Sequence, residues 1–142
     1  LALSGILHDI GKIGIRDNIL NKNGSLGSGE FETMKQHTVF GAEIVGKIHS
    51  LKKVVEGILY HHEKMDGSGY PNGLQGDEIP LFARIIAVAD TYDAMTTDRP
   101  YRKGLTNEEA TSELNRMSGT QFDPEMVAAF LRRMQREKID ED

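Results

Sequence analysis

The sequence predicts an all-α protein, and three observations support this fold class. Apolar residues recur with a helical period along nearly the whole chain. Two segments carry the start signals of helices, and no segment alternates apolar and polar residues as a half-buried strand would. The 142 residues suit one compact domain that can bury a core of its own.

The first half of the chain is expected to supply three helices. Residues 1–10 predict a helix that the chain enters partway along. Its apolar residues at helical spacing are Leu3, Ile6, Leu7 and Ile10. A second helix is expected from about Glu30 to Ile48, and a third from about Leu51 into the pair His61-His62. The expected inward faces comprise Phe31, Met34, Thr38, Gly41, Val45 and Ile48 in the second helix, and Val54, Val55, Ile58 and Leu59 in the third.

The second half is expected to add three more helices. One begins near Pro80, which suits a first helical turn. Its expected inward residues are Phe82, Ile85, Ile86 and Ala89. Thr106 and Glu109 have the spacing of a capping box, and Asp123-Pro124 combines a side-chain cap with proline at the first helical position. The buried stripe of the last helix is expected to be Val127, Phe130, Leu131 and Met134.

Two glycine-rich segments, 21–29 and 67–76, are predicted to be loops because glycine and proline interrupt any helical pattern there. We expect a single domain over residues 1–138, its first helix truncated, followed by an acidic tail at 139–142.

Composition and charge exclude several classes of function. A net charge of −5 argues against duplex nucleic acid as a partner. No apolar run is long enough to predict a membrane span. The chain has no cysteine, which excludes disulfides and thiolate metal sites and fits a cytoplasmic location.

Six residues are candidate metal ligands because histidines and aspartates fall on faces expected to point inward. The candidates are His8, Asp9, His37, His61, His62 and Asp90. Asp90 lies four residues after Ile86 on an apolar helix face, where an unpaired carboxylate would be costly to bury. Asp93 is expected to be a supporting or structural residue, and His49 a surface residue at a helix end.

The ligand types and their number favour more than one ion. Imidazole with carboxylate and no thiolate suits iron, manganese, zinc or nickel. Adjacent histidines on a helix point about 100° apart, so His61 and His62 would bind different ions more easily than one. Six ligands also exceed what a single four-coordinate ion needs. The sequence therefore predicts a site for two or more metals.

Four segments resemble the HD-GYP group of the HD superfamily of metal-dependent phosphohydrolases. His8-Asp-Ile-Gly-Lys12 is similar to the HD signature, and the string from His61 to Pro71 ends in Gly-Tyr-Pro. The segments 89–95 and 99–102 are similar to the family's downstream block. The match runs from residue 1 to about residue 130, and the long histidine–GYP string is its most specific part.

The resemblance implies an HD-domain helical bundle with a long glycine-rich GYP loop. It implies hydrolysis of the bacterial second messenger cyclic di-GMP to linear pGpG and/or GMP, with two or three divalent ions, most often iron or manganese. Ligand roles fall on the six residues above, and Asp9 and Lys12 are the expected catalytic residues. The expected substrate-binding residues are Gly69, Tyr70, Pro71, Arg99 and Arg102. The family often has lysine where Arg102 stands, which keeps the charge but not the geometry.

The resemblance also implies signalling partners, namely an upstream sensory domain and diguanylate cyclase-type domains bound through the GYP loop. Two alternatives stay open at this point. The substrate could be another cyclic dinucleotide, such as cyclic GMP-AMP, or a nucleoside monophosphate. The domain could instead be a catalytically weak module that binds a nucleotide or a partner protein.

Overall fold

The structure is a computed structural model that describes residues 1–98 and 102–140, and this part of the chain is helical. The helices are α1 (Ala2–Leu7), α2 (Asp17–Leu20), α3 (Ser28–Gly46), α4 (Lys52–Tyr60), α5 (Leu81–Thr96), α6 (Asn107–Arg116) and α7 (Pro124–Asp140). Short 3-10 turns cover Ile10–Gly14, His49–Leu51 and Gly76–Glu78. The described residues contain no strand, and Ser118 and Phe122 form an isolated bridge. The all-α prediction is confirmed.

The helices pack around α3, α4 and α5. The 3-10 turn Ile10–Gly14 lies against α3, α3 packs on α4, and α4 packs on α5. Gly11 permits the first of these contacts, because a Cβ atom there would lie only 1.8 Å from the carbonyl oxygen of His37. Glycine at this position therefore brings the segment after α1 close to the middle of α3.

Two apolar clusters form the core. One joins α3 to α4 through Val45, Val54 and Ile58. The other joins α5, α6 and α7 through Val88, Leu114, Phe122 and Val127. No helix of the described residues is long and apolar enough to cross a membrane.

The predicted apolar face of the first helix is confirmed only at Leu7, which packs against the cluster of Val45, Val54 and Ile58. Leu3, Ile6 and Ile10 are exposed, whereas Ser4 is fully buried. The reason is the close packing of α1 on α4, because a Cβ atom at Gly57 would lie 3.3 Å from the Cβ of Ser4. Only a small side chain fits between the two helices, so the helix turns its serine inward.

The expected face of α3 is correct in its middle and wrong at its ends. Thr38, Gly41 and Val45 are buried, but Phe31 and Ile48 are 44% and 52% exposed. Ile48 lies beyond the end of the helix, and Phe31 lies in its first turn. In α5, Ile86 is buried as predicted, but Ala89 is exposed and Val88 is buried instead. This helix packs on two sides, which a single-stripe pattern does not describe.

The predicted starts of the last two helices are confirmed. The Thr106 hydroxyl accepts a hydrogen bond from the backbone N–H of Glu109, whose carboxylate accepts from the N–H of Thr106. Asp123 accepts from the N–H of Glu125 at 2.7 Å, and α7 begins at residue 124. Residues 139 and 140 are helical, and residues 141 and 142 of the expected tail lie outside the described residues.

Candidate metal centre and active site

The fold brings all six candidate ligands together from four parts of the chain. His8 and Asp9 follow α1, His37 lies in α3, His61 and His62 form the turn after α4, and Asp90 lies in α5. The Nε2 atom of His8 lies 3.3 Å from an oxygen of Asp90, and that of His37 lies 3.5 Å from an oxygen of Asp9. The rings of His61 and His62 lie 4.1 Å apart.

Three of the histidines have one ring nitrogen held by the backbone. The Nδ1 atoms of His8, His37 and His61 lie 2.6–2.7 Å from the carbonyl oxygens three residues earlier. A carbonyl oxygen only accepts, so each Nδ1 must carry the proton and donate it. The other nitrogen, Nε2, then carries a free lone pair when the ring is neutral. Backbone carbonyls commonly fix metal-binding histidines in this way.

The free nitrogens point into the cluster and fit a metal. Among the residues that the structure describes, the buried Nε2 atoms of His37 and His61 have no hydrogen-bond partner, a costly state for a polar atom. The described residues form two groups whose ligand atoms lie within 4.8 Å of one another. One group is His37, His61 and His62, and the other is His8, Asp9 and His61. The two groups overlap at His61, whose one free nitrogen can bind a single ion, so they mark adjacent positions and His61 can serve only one of them.

Burial keeps most of these imidazoles neutral. Burial, with the neighbouring His62 adding to it, lowers the pKa of His61 to about 2. Burial and the nearby His37 lower the pKa of His62 to about 4, and burial also lowers the pKa of His37. His8 differs because its contact with Asp90 raises its pKa and lowers the pKa of Asp90. Neutral imidazoles and ionised carboxylates are the forms that bind a metal.

The glycine-rich loop lies directly against the cluster. A Cβ atom at Gly69 would lie 2.4 Å from the Cα of Glu63, so only glycine allows the loop to approach this closely. The N–H of Tyr70 donates to the carbonyl of His62, and the Tyr70 ring stacks on the His62 ring at 4.8 Å. Pro71 follows through a cis peptide bond. The GYP segment therefore forms one wall of the histidine cluster.

Glu63, which the sequence interpretation missed, holds this loop in place. The residue is 3% exposed, and its carboxylate accepts three backbone hydrogen bonds, from Asn72 at 2.7 Å, Gly73 at 3.0 Å and Leu74 at 3.1 Å. The pair Asn72-Gly73 predicts a turn from the sequence. The pair does not indicate that the acceptor for the N–H groups of this turn is Glu63, nine residues before Asn72 and directly after the two histidines.

The predicted cationic residues differ in their distance from the cluster. The Lys12 ammonium lies 2.5 Å from an oxygen of Asp9, which places it beside the candidate ligands. The Arg102 guanidinium is exposed and donates to the carbonyl of Ala94 at 2.9 Å. Arg99 lies outside the described residues. Asp93 and His49 are both exposed, and neither belongs to the two ligand groups of the described residues.

A family model described as HD domain matches residues 1–126. The chain belongs to the HD domain family. The curated relatives of this HD domain bear out its resemblance to HD-GYP proteins. A cyclic di-GMP phosphodiesterase of Thermotoga maritima is 52% identical over 128 residues, 89% of this chain and 35% of the relative. A cyclic di-GMP phosphodiesterase response regulator of Xanthomonas campestris is 44% identical over 142 residues, 98% of this chain and 38% of the relative.

Relatives of this HD domain with a different substrate are also found. A 3′3′-cGAMP-specific phosphodiesterase of Vibrio cholerae is 44% identical over 127 residues, 88% of this chain and 24% of the relative. The crystal structure of a cyclic GMP-AMP-specific phosphodiesterase from the same organism superposes with a TM-score of 0.71 at 22% identity. The superposed region covers 94% of this chain and 37% of the chain in that crystal structure. This similarity confirms the HD-domain helical fold. The chain thus spans roughly a quarter to two fifths of these relatives.

Proposed function

We propose that this HD domain is a metal-dependent phosphodiesterase that hydrolyses cyclic di-GMP to linear pGpG and/or GMP. The observation that carries the proposal is the pair of buried, unpartnered Nε2 atoms, His37 and His61. These atoms point into a cluster that also contains the carboxylates of Asp9 and Asp90. The loop that carries Tyr70 covers this cluster. The names of the curated relatives support the reaction and the class of substrate.

The ligand set supports a centre of two or three divalent ions, iron or manganese. His37, His61 and His62 would hold one ion. His8 and Asp9 would hold a second, with Asp90 within reach of His8, because the one free nitrogen of His61 serves only one ion. Such ions, when bound, supply positive charge to the phosphate and an activated water.

The other residues of the site would bind and orient the substrate. Lys12 holds Asp9 through its ammonium and would neutralise a phosphate oxygen beside the metals. Gly69, Tyr70 and Pro71 would limit the pocket on one side. Arg99 and Arg102 would contact phosphate or base from the segment after α5. In this role Arg102 would exchange its hydrogen bond to the Ala94 carbonyl for one to the substrate.

A second candidate function keeps the reaction and changes the substrate to 3′3′-cyclic GMP-AMP, which the Vibrio cholerae relatives favour. The upstream sensory domain, the diguanylate cyclase-type partners of the loop and the cytoplasmic location stay predictions. So do the domain bounds of 1–138 with a tail at 139–142.

An assay of the anaerobically purified domain tests the function directly. Its metals are measured by elemental analysis, and products from a panel of cyclic dinucleotides are separated by chromatography. We expect about two or three ions per chain and the release of pGpG or GMP from cyclic di-GMP. Preferred turnover of cyclic GMP-AMP would select the second substrate. A metal-loaded protein with no turnover of any cyclic dinucleotide would contradict the proposal and favour a binding module.

A further inference from the structure

A row of three rings leads from the histidine cluster to the protein surface. Tyr70 stacks on His62, with the ring planes 27° apart, and meets the ring of Phe31 edge-on at 6.2 Å. His62 lies within the candidate metal centre, whereas Phe31, in the first turn of α3, is 44% exposed. The outer end of the row is therefore an exposed aromatic surface next to the loop that covers the cluster.

A lysine is fixed over the outer two rings. The ammonium of Lys35 lies 5.0 Å from the ring centre of Phe31 and 5.5 Å from that of Tyr70, within the range of cation–π contacts. The exposed carboxylate of Glu32 binds the same ammonium at 2.7 Å. The side chain of Lys35 is only 25% exposed, so its charge is held close to the rings rather than extended into solvent.

We propose that Phe31 and Lys35 form a nucleobase subsite, in which a purine base of the substrate stacks on the Phe31 ring. This rests on the proposed function, because the scissile phosphate must lie at the histidine cluster for a base to reach Phe31. Base–aromatic stacking accepts any base, since every base has a π face. The subsite thus supplies affinity at a distance from the reacting phosphorus.

Lys35 gives the subsite a preference for guanine. An ammonium can only donate hydrogen bonds. Guanine presents two adjacent acceptors, O6 and N7, whereas adenine presents N7 beside an amino group that itself donates. The base takes the ring face that the ammonium now covers, and the ammonium moves to the edge of the base, where it favours guanine. This assigns part of the choice between dinucleotides to α3 rather than to the GYP loop.

Steady-state kinetics of metal-loaded variants test the stacking. Two substrates are compared, cyclic di-GMP and methyl p-nitrophenyl phosphate, a phosphodiester with no base. Phe31→Leu keeps the apolar bulk but removes the π face, and Phe31→Trp restores a π face. Ile44→Ala is the matched control, because Ile44 lies on the same helix and is 42% exposed.

The expected readout is the ratio of kcat/KM for cyclic di-GMP to that for the base-free substrate. Phe31→Leu should lower this ratio by roughly 5- to 160-fold, the range that loss of one base–aromatic stack of about 1–3 kcal/mol gives. Phe31→Trp should keep the ratio within about threefold, a spread below the loss of one stack, and Ile44→Ala should leave it at the wild-type value. An unchanged ratio in Phe31→Leu, or an equal loss in Phe31→Trp, would overturn the proposal.

The role of Lys35 is tested by comparing cyclic di-GMP with cyclic di-AMP. Lys35→Met, which keeps the aliphatic stem, should reduce the preference for guanine, and Lys35→Arg should retain it. An unchanged preference in Lys35→Met would refute the guanine contact. If the wild-type protein turns over no cyclic dinucleotide, the proposed function fails separately. The subsite is then measured by equilibrium binding of cyclic di-GMP, and equal affinity of wild type and Phe31→Leu would overturn it.

Discussion

The buried carboxylate of Glu63 gives the sharpest test of how the loop is built. Glu63→Gln keeps the shape of the side chain but replaces one carboxylate oxygen with an amino group. The three backbone N–H groups of residues 72–74 then have one neutral acceptor oxygen in place of two charged ones. One N–H group faces the new amide NH2 and loses its bond. The other two keep an acceptor but lose the negative charge that strengthens their bonds.

The expected cost follows from the three bonds. A hydrogen bond to a charged group contributes about 1.5–3 kcal/mol, and a neutral one about 0.5–1.5 kcal/mol. One lost bond and two weakened ones, offset by the lower cost of burying a neutral amide, give a loss of about 2–4 kcal/mol. This loss should concentrate in the loop, because its amides bond to the substituted side chain.

Amide hydrogen exchange measures this loss residue by residue. In Glu63→Gln the amides of residues 72–74 should exchange about 30- to 900-fold faster, which corresponds to the same free energy. Glu109→Gln is the matched control, because Glu109 also accepts a backbone N–H but lies exposed at the start of α6. It should leave exchange at residues 72–74 unchanged. Equal exchange there in wild type and Glu63→Gln would refute the anchoring role.

Three further predictions concern the cluster. His61→Ala should lose metal and activity while circular dichroism shows a folded domain, and full metal occupancy in this variant would contradict the assignment. Tyr70→Ala should raise KM for the cyclic dinucleotide while elemental analysis shows unchanged metal content, and unchanged kinetics would reduce the loop to a structural part. The third is that the metal-free protein should lose about 1–3 kcal/mol of unfolding free energy between pH 7.5 and 5.5, measured by denaturant titration. His61 and His62, whose pKa values are lowered to about 2 and about 4, stay neutral when folded, whereas the unfolded chain takes up protons below about pH 6.5. At pH 5.5 each therefore costs about 1.4 kcal/mol, partly offset by His8, whose raised pKa stabilises the folded state in acid. Constant stability over this range would contradict the burial of these two rings.

The helices and the six-residue cluster were predictable because both depend on local spacing. Histidines and aspartates expected on inward faces are visible in the sequence, and six such residues demand a common explanation. The inward face of α1 was not predictable in the same way. Leu3 and Ile6 have the right period, but the partner helix presents Gly57 at the contact, and a contact between Ser4 and Gly57 depends on the interhelical distance.

The GYP loop shows why the rest of the site required the structure. The sequence marks Gly69, Tyr70 and Pro71 as a motif, but the reason for each residue lies in a contact with the segment that begins at His62. Glycine at 69 allows the backbones to touch, tyrosine at 70 covers the imidazole, and the following turn closes on the carboxylate of Glu63. The loop and the histidine pair are thus a single folded unit. A substitution in the loop should therefore alter the wall of the pocket beside His62.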